Sequence, residues 1–150
     1  MKRLYTMCCA ALLALSAAAQ PGYRPTPENL ASRQQFADAR FGIFLHWGLY
    51  AMLAQGEWTM TNLDLNYREY EKLAGGFYPA RFDAEAWVTA FRESGARYIC
   101  FTTRHHDGFS MFHTAQSPYN IVDATPFARD VVKELCDECH RQGIRVHFYL

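Results

Sequence analysis

The sequence carries no excess of either charge: fifteen Lys and Arg residues offset fifteen Asp and Glu, leaving a formal net charge of 0. That excludes the basic field a nucleic-acid binder uses and any field that would steer a strongly charged substrate. No internal repeat, low-complexity tract or charge run follows residue 19. Residues 1–19 hold the longest apolar stretch, "LYTMCCAALLAL", and it falls short of the roughly 20 residues a helix needs to span a bilayer. Lys2 and Arg3 before it and Ala17-Ala18-Ala19 after it mark residues 1–19 as a signal peptide, so the expected location is exported, periplasmic or secreted, with no membrane span in the mature chain.

Cysteine is equally uninformative as a framework. Cys100, Cys136 and Cys139 remain in the mature chain, an odd number from which no disulfide pattern can be read. "CDEC" has the spacing of thiol oxidoreductases, but Val132, Leu135, Cys136 and Cys139 follow the i, i+3, i+4, i+7 rule and place both thiols on an apolar helix stripe. No second C-x-x-C or His pair completes a zinc site.

What the sequence does have is half its residues apolar over a length that supports one core. Residues 20–26 read as a Pro-rich linker, and residues 27–150 as a folded region. Thr26 before Pro27 predicts a helix over 27–39. "RFGIFLHWG" contains an apolar run, residues 41–46, of the kind found in parallel strands buried on both faces. "FDAEAWVTAFRESG" predicts a helix capped by Asp83, striped by Ala86, Trp87, Ala90 and Phe91, and stopped by Gly95. "YICFT" is a second strand, "DVVKELCDECHRQG" a helix stopped by Gly143, and "IRVHFYL" a third strand.

The order β-α-β-α-β demands right-handed crossovers and a parallel sheet. Helix-to-strand turns are short and strand-to-helix connections long, so the functional face lies at the carboxyl ends of the strands. "HWGLY" stands where a dinucleotide site would carry G-x-G-x-x-G, which favours a barrel over a Rossmann fold. A complete (β/α)8 barrel takes about 250 residues and eight strands. The expected fold is therefore α/β, the first three strands of a TIM-like barrel, with the chain read as the front part of a longer protein.

On that frame His46 closes strand one, His105 and His106 follow strand two, and Tyr149 ends strand three. Glu57 and Trp58 come from the loop after strand one. Imidazole and carboxylate groups donate to and accept from hydroxyls while an aromatic face covers apolar C–H patches, an inventory suited to a neutral polyhydroxylated ligand. Each has a plainer alternative: a buried His46, Trp47 and Trp58 as core, Asp107 shaping a turn before Gly108. His113, His140 and His147 read as structural or solvent-facing, with His147 on the alternate register of its strand. His46, His105, His106 and Asp107 also have the ligand types of a metal-dependent barrel hydrolase, although adjacent histidines in extended chain point apart.

"FGIFLHWGLYAMLAQGEW", "FDAEAWVTAFRESGARYICFTTRHHDGFSMF" and "FARDVVKELCDECHRQGIRVHFYL" together resemble the amino-terminal part of the catalytic barrel of alpha-L-fucosidases, glycoside hydrolase family 29. The resemblance implies a retaining exo-glycosidase that removes terminal L-fucose from oligosaccharides or glycoconjugates without metal or other cofactor. It implies that His46, Glu57, Trp58, His105, His106 and Tyr149 bind the sugar, with Glu57 a candidate auxiliary to catalysis. The nucleophilic aspartate and the acid/base carboxylate of that family fall after the residues present, so the 150 residues alone are expected to be inactive. Alternatives are the metal-dependent hydrolase and an inactive carbohydrate-binding truncation. Linkage preference and oligomeric state are not legible in the sequence.

Overall fold

The computed structural model describes residues 22–150, and the expected signal peptide with the first linker residues lies outside them. The chain divides into two compact units at Asp38–Ala39. The first contains helix α1, Pro27–Ala39, except for its last residue. Thr26 Oγ1 accepts from Asn29 N at 3.2 Å, and Pro27, which has no N–H to leave unsatisfied, takes the first helical position. Tyr23 donates to Asn29 Oδ1 and accepts from Arg33 Nη2, at 2.9 and 3.1 Å, which ties the preceding chain to the first turns.

The second unit contains a three-stranded parallel sheet in the order β1-β2-β3: β1 is Gly42–Leu45, β2 Tyr98–Thr102 and β3 Arg145–Tyr149. Between β1 and β2 come a 3-10 segment Leu49–Leu53, single turns α2 (Thr59–Asn62) and α3 (Tyr67–Tyr70), a second 3-10 segment Glu71–Gly76, and helix α4 (Ala84–Glu93). Helix α5, Val131–Gln142, links β2 to β3. Only residues 94–97 and 143–144 separate each helix from its following strand, whereas 46–83 and 103–130 connect strands to helices.

Both long helices start and stop where the sequence signals it. Asp83 Oδ1 accepts from Ala86 N at 3.0 Å and Asp130 Oδ1 from Lys133 N at 2.9 Å, each removing an orphan amide of the first turn. Gly143 ends α5 in the left-handed region, φ 75°, a conformation glycine adopts without a Cβ penalty.

The stripe of α4 is rotated from the expected one. Ala84, Trp87, Val88 and Phe91 face the core while Ala86 and Ala90 are exposed. Val88 carries the full burial the alanines were expected to share. In α5, Val131, Leu135 and Cys139 are buried and Cys136 is partly so, which places both thiols on the apolar side.

These helices cover one face of the sheet, where Ile99 and Phe101 are buried in a shared core with Val88, Leu135 and Cys139. Burying each such Leu, Ile or Phe side chain contributes about 1.5–3 kcal/mol. The expectation of strands buried on both faces is not met. By the two-residue alternation of strands, Gly42, Phe44, Tyr98, Cys100, Thr102, Arg145, His147 and Tyr149 share the other face. No helix lies over that face among the described residues, and Phe44 is 53% exposed there. A Cβ at Gly42 would sit 2.2 Å from the Tyr98 ring, so a larger residue there displaces that side chain.

Candidate functional site

Thr102, at the carboxyl end of the central strand, fixes the end of β1. Its Oγ1 donates to Leu45 O and accepts from Trp47 N, both at 3.2 Å, so the chain on either side of His46 is held to the neighbouring strand. With that hydroxyl proton committed to Leu45, Tyr50 Oη, 3.0 Å away, is the donor in its bond to Thr102 Oγ1. Burial pushes the Tyr50 phenol up to about 12, so it stays protonated and available for that bond.

Beyond β2 the chain turns sharply. Gly108 N donates to His105 O at 2.9 Å, Gly108 takes φ 75°, and Asp107 Oδ1 accepts from Phe109 N at 3.1 Å. Asp107 therefore shapes a turn, as its plainer alternative held. Its other oxygen accepts from Tyr70 Oη at 3.0 Å, a partner the sequence does not announce. Met111 N donates to Thr103 O at 2.8 Å and closes the base of the excursion.

The turn presents two imidazoles at right angles, with ring centroids 4.7 Å apart and planes at 88°. His105 is 8% exposed; His106 is open. His46, exposed rather than buried, lies 5.4 Å from His105 and 5.9 Å from Tyr149. Tyr149 stacks on His105 at 5.8 Å and 22°. Trp58, 42% exposed and so not core, stacks on His106 at 4.0 Å and 26° and meets His105 edge-on at 5.6 Å. Glu57 lines a cavity of about 150 Å³ with His46 and Tyr50.

All six expected residues thus gather around one end of the sheet. Burial, with His106 and His46 adding to it, holds His105 below the usual histidine value of 6.5, while Asp107 and Glu57 pull the other way. His105 Nδ1 is buried without a hydrogen-bond partner.

Other residues separate from the cluster. Trp47 packs against Phe77, Phe82 and Trp87 and belongs to the core. His113 lies 3.8 Å from Asp123, and His140 is exposed on α5. His147 corrects the expected register: it shares the face of Tyr149, two residues deeper, and meets the Tyr98 ring at 5.1 Å. Burial raises all three thiols, Cys139 to about 12, which keeps them protonated. Among the described residues no three His, Cys, Asp or Glu side chains form a metal-ligating group.

Sequence reasoning missed Phe44, 4.6 Å from His46 and 5.8 Å from Tyr149, along with Tyr50, Tyr70 and Thr102. Strand alternation would have found Phe44, two residues before His46. The other three bond across long sequence separations that no local pattern encodes.

Imidazoles and aromatic rings gathered over the carboxyl ends of parallel strands are the arrangement of α/β enzymes that bind small polar ligands. The sequence model described as Alpha-L-fucosidase matches residues 10–150. Plasma alpha-L-fucosidase of Rattus norvegicus is 35% identical over 148 residues, covering 85% of this chain and 32% of the relative. Tissue alpha-L-fucosidase of the same species is 34% identical, covering 92% and 35%. A bacterial fucosidase crystallised with a monovalent iminocyclitol inhibitor superposes with a TM-score of 0.77 at 33% identity, over 87% of this chain and 31% of that one. The unliganded Lactobacillus casei alpha-L-fucosidase gives 0.73 at 39% identity, over 76% and 38%. The chain belongs to the alpha-L-fucosidase family of glycoside hydrolases. It spans about a third of the length of the relatives it matches.

Proposed function

We propose that these residues form the amino-terminal part of a (β/α)8 barrel in an exported alpha-L-fucosidase, and supply one wall of the site that grips a terminal L-fucosyl group. The observation that carries the proposal is the convergence of His46, Trp58, His105, His106 and Tyr149 within ring-to-ring distances of 4.0 to 5.9 Å. The imidazoles bond the sugar hydroxyls, Trp58 and Phe44 cover its apolar C–H surface, and Glu57 accepts from a hydroxyl.

Cleavage by a retaining route needs two carboxyl groups about 5 Å apart, one attacking and one protonating the leaving oxygen. Asp107 already accepts from Tyr70 and Phe109 N, leaving Glu57 as the carboxylate beside the cluster that is free for ligand. The nucleophile and acid/base therefore belong, in this proposal, to chain beyond Leu150, and the 150 residues bind sugar without hydrolysing it. The substrate is a fucosylated oligosaccharide or glycoconjugate. The relatives' family supports this chemistry, and no comparison supports the metal-dependent or non-enzymatic alternatives.

Protein expressed from the complete reading frame is expected to release 4-nitrophenol from 4-nitrophenyl α-L-fucopyranoside and to ignore the glucoside. It is expected to be recovered from the periplasm or medium beginning at Gln20. A folded product inactive on the fucoside and blind to L-fucose would overturn the assignment; an intact amino terminus in the cytoplasm would overturn the export.

A further inference from the structure

Adjacent residues on a turn hold no fixed angle between their side chains unless the backbone between them is pinned. Here His105 and His106 stand at 88°, and three bonds pin the turn: Gly108 N to His105 O, Phe109 N to Asp107 Oδ1, and Tyr70 Oη to Asp107 Oδ2. The first two are local. The third reaches across 37 residues to α3, where Tyr70 is 3% exposed and packed in the core with Ala74 and Phe77. Tyr70 has no freedom to follow the turn, so the turn must follow Tyr70.

The same connection, residues 46–83, also delivers Trp58, which stacks on the open face of His106 at 4.0 Å. His106 is therefore set from two sides by one segment: Trp58 against its ring and Tyr70, through Asp107, behind its backbone. We propose that Tyr70 and Asp107 are a positioning pair that fixes the separation and angle of the His105 and His106 imidazoles, and through them the affinity of the sugar site, without touching the ligand. This rests on the fucosyl-site assignment only for the identity of the ligand.

The charge of Asp107 reaches His105 as well, together with His106, His46 and Glu57, while Tyr50, Trp58 and Tyr149 face the same ring without charge. Loss of the Asp107 charge therefore has a signature that a purely structural turn residue lacks: His105 titrates at a lower pH.

Protein expressed from the complete reading frame is compared with its Tyr70→Phe and Asp107→Asn variants and, as a control, Val88→Ala, which opens a gap in the core on α4. Imidazole proton NMR follows His105 and His106 through a pH titration, nuclear Overhauser contacts report the Trp58–His106 stack, and L-fucose is titrated by shift changes. Tyr70→Phe and Asp107→Asn are expected to move both imidazole signals, weaken the stack and lower fucose affinity about tenfold. Asp107→Asn alone is expected to lower the His105 titration point. Val88→Ala is expected to lower the melting temperature and leave the imidazoles in place. Unmoved imidazoles in Tyr70→Phe and Asp107→Asn, or the same movements in Val88→Ala, overturn the proposal. Moved imidazoles in a chain with no fucose affinity sustain the positioning pair and reject the ligand.

Discussion

The rings of Trp58 and His106 lie nearly parallel, 26° apart in plane and 4.0 Å between centroids, with the indole 42% exposed. The pair joins the loop after β1 to the turn after β2, so each ring limits the other's motion and both are open to a ligand.

Replacing His106 by Ala removes an exposed ring that supports no core residue. The fold is expected to survive, with an unchanged melting temperature, while L-fucose affinity falls by about 2 kcal/mol, the scale of losing a hydrogen bond together with ring packing. Calorimetric titration checks both halves, and undiminished affinity would remove His106 from the site.

Trp58→Ala is expected to weaken fucose binding by about 1 kcal/mol and to mobilise His106, whose stacking partner it removes. The second effect is visible without ligand as a broader rotamer distribution of the His106 ring by NMR. Trp58→Phe should restore most of the affinity.

The pH dependence follows from His105, held below 6.5 by burial and by His106 and His46. The unfolded chain takes up this proton first as the pH falls, so between 6.5 and the lower folded value the unfolded state binds more protons. Stability therefore rises with pH across that window and is lost on acidification. Thermal melts between pH 4 and 8 are expected to show this slope in the native chain and a shallower one in His105→Gln. Equal slopes would mean His105 titrates normally.

Asp130 makes two backbone bonds where Asp83 makes one. Its Oδ1 accepts from Lys133 N and its Oδ2 from His113 N at 3.0 Å, tying α5 to the loop before it. Asp83→Ala is expected to cost about 1 kcal/mol and Asp130→Ala about 2 kcal/mol. Urea unfolding of both variants decides the order.

Cys139, buried on α5 with its thiol pushed up to about 12, is expected to resist iodoacetamide at pH 8 in the folded chain and react on unfolding. Rapid labelling in native buffer would contradict that placement.

The elements legible in the sequence are those whose signals are local. Asp83 and Asp130, Gly95 and Gly143, and the apolar runs at 42–45, 98–102 and 145–149 mark starts, stops and strands without help from the rest of the molecule. An alanine precedes each of Trp87 and Phe91, so the α4 stripe can extend toward Ala86 and Ala90 or toward Ala84 and Val88, and only the opposing core chooses Val88. His147 was legible too, since two-residue alternation puts it on the face of Tyr149, and its pairing with Cys100 agrees. Six site residues could be named from strand ends and the family resemblance. Tyr50, Tyr70 and Thr102 could not, because a phenol or hydroxyl 37 to 52 residues from its partner looks like any other until the chain folds.

Trp58, Glu57, Tyr50 and Tyr70 all hang from the single excursion between β1 and α4. Descendants of such a gene can therefore retune what the pocket favours by altering one connecting stretch of chain, while the sheet and its two covering helices pass unchanged from ancestor to progeny.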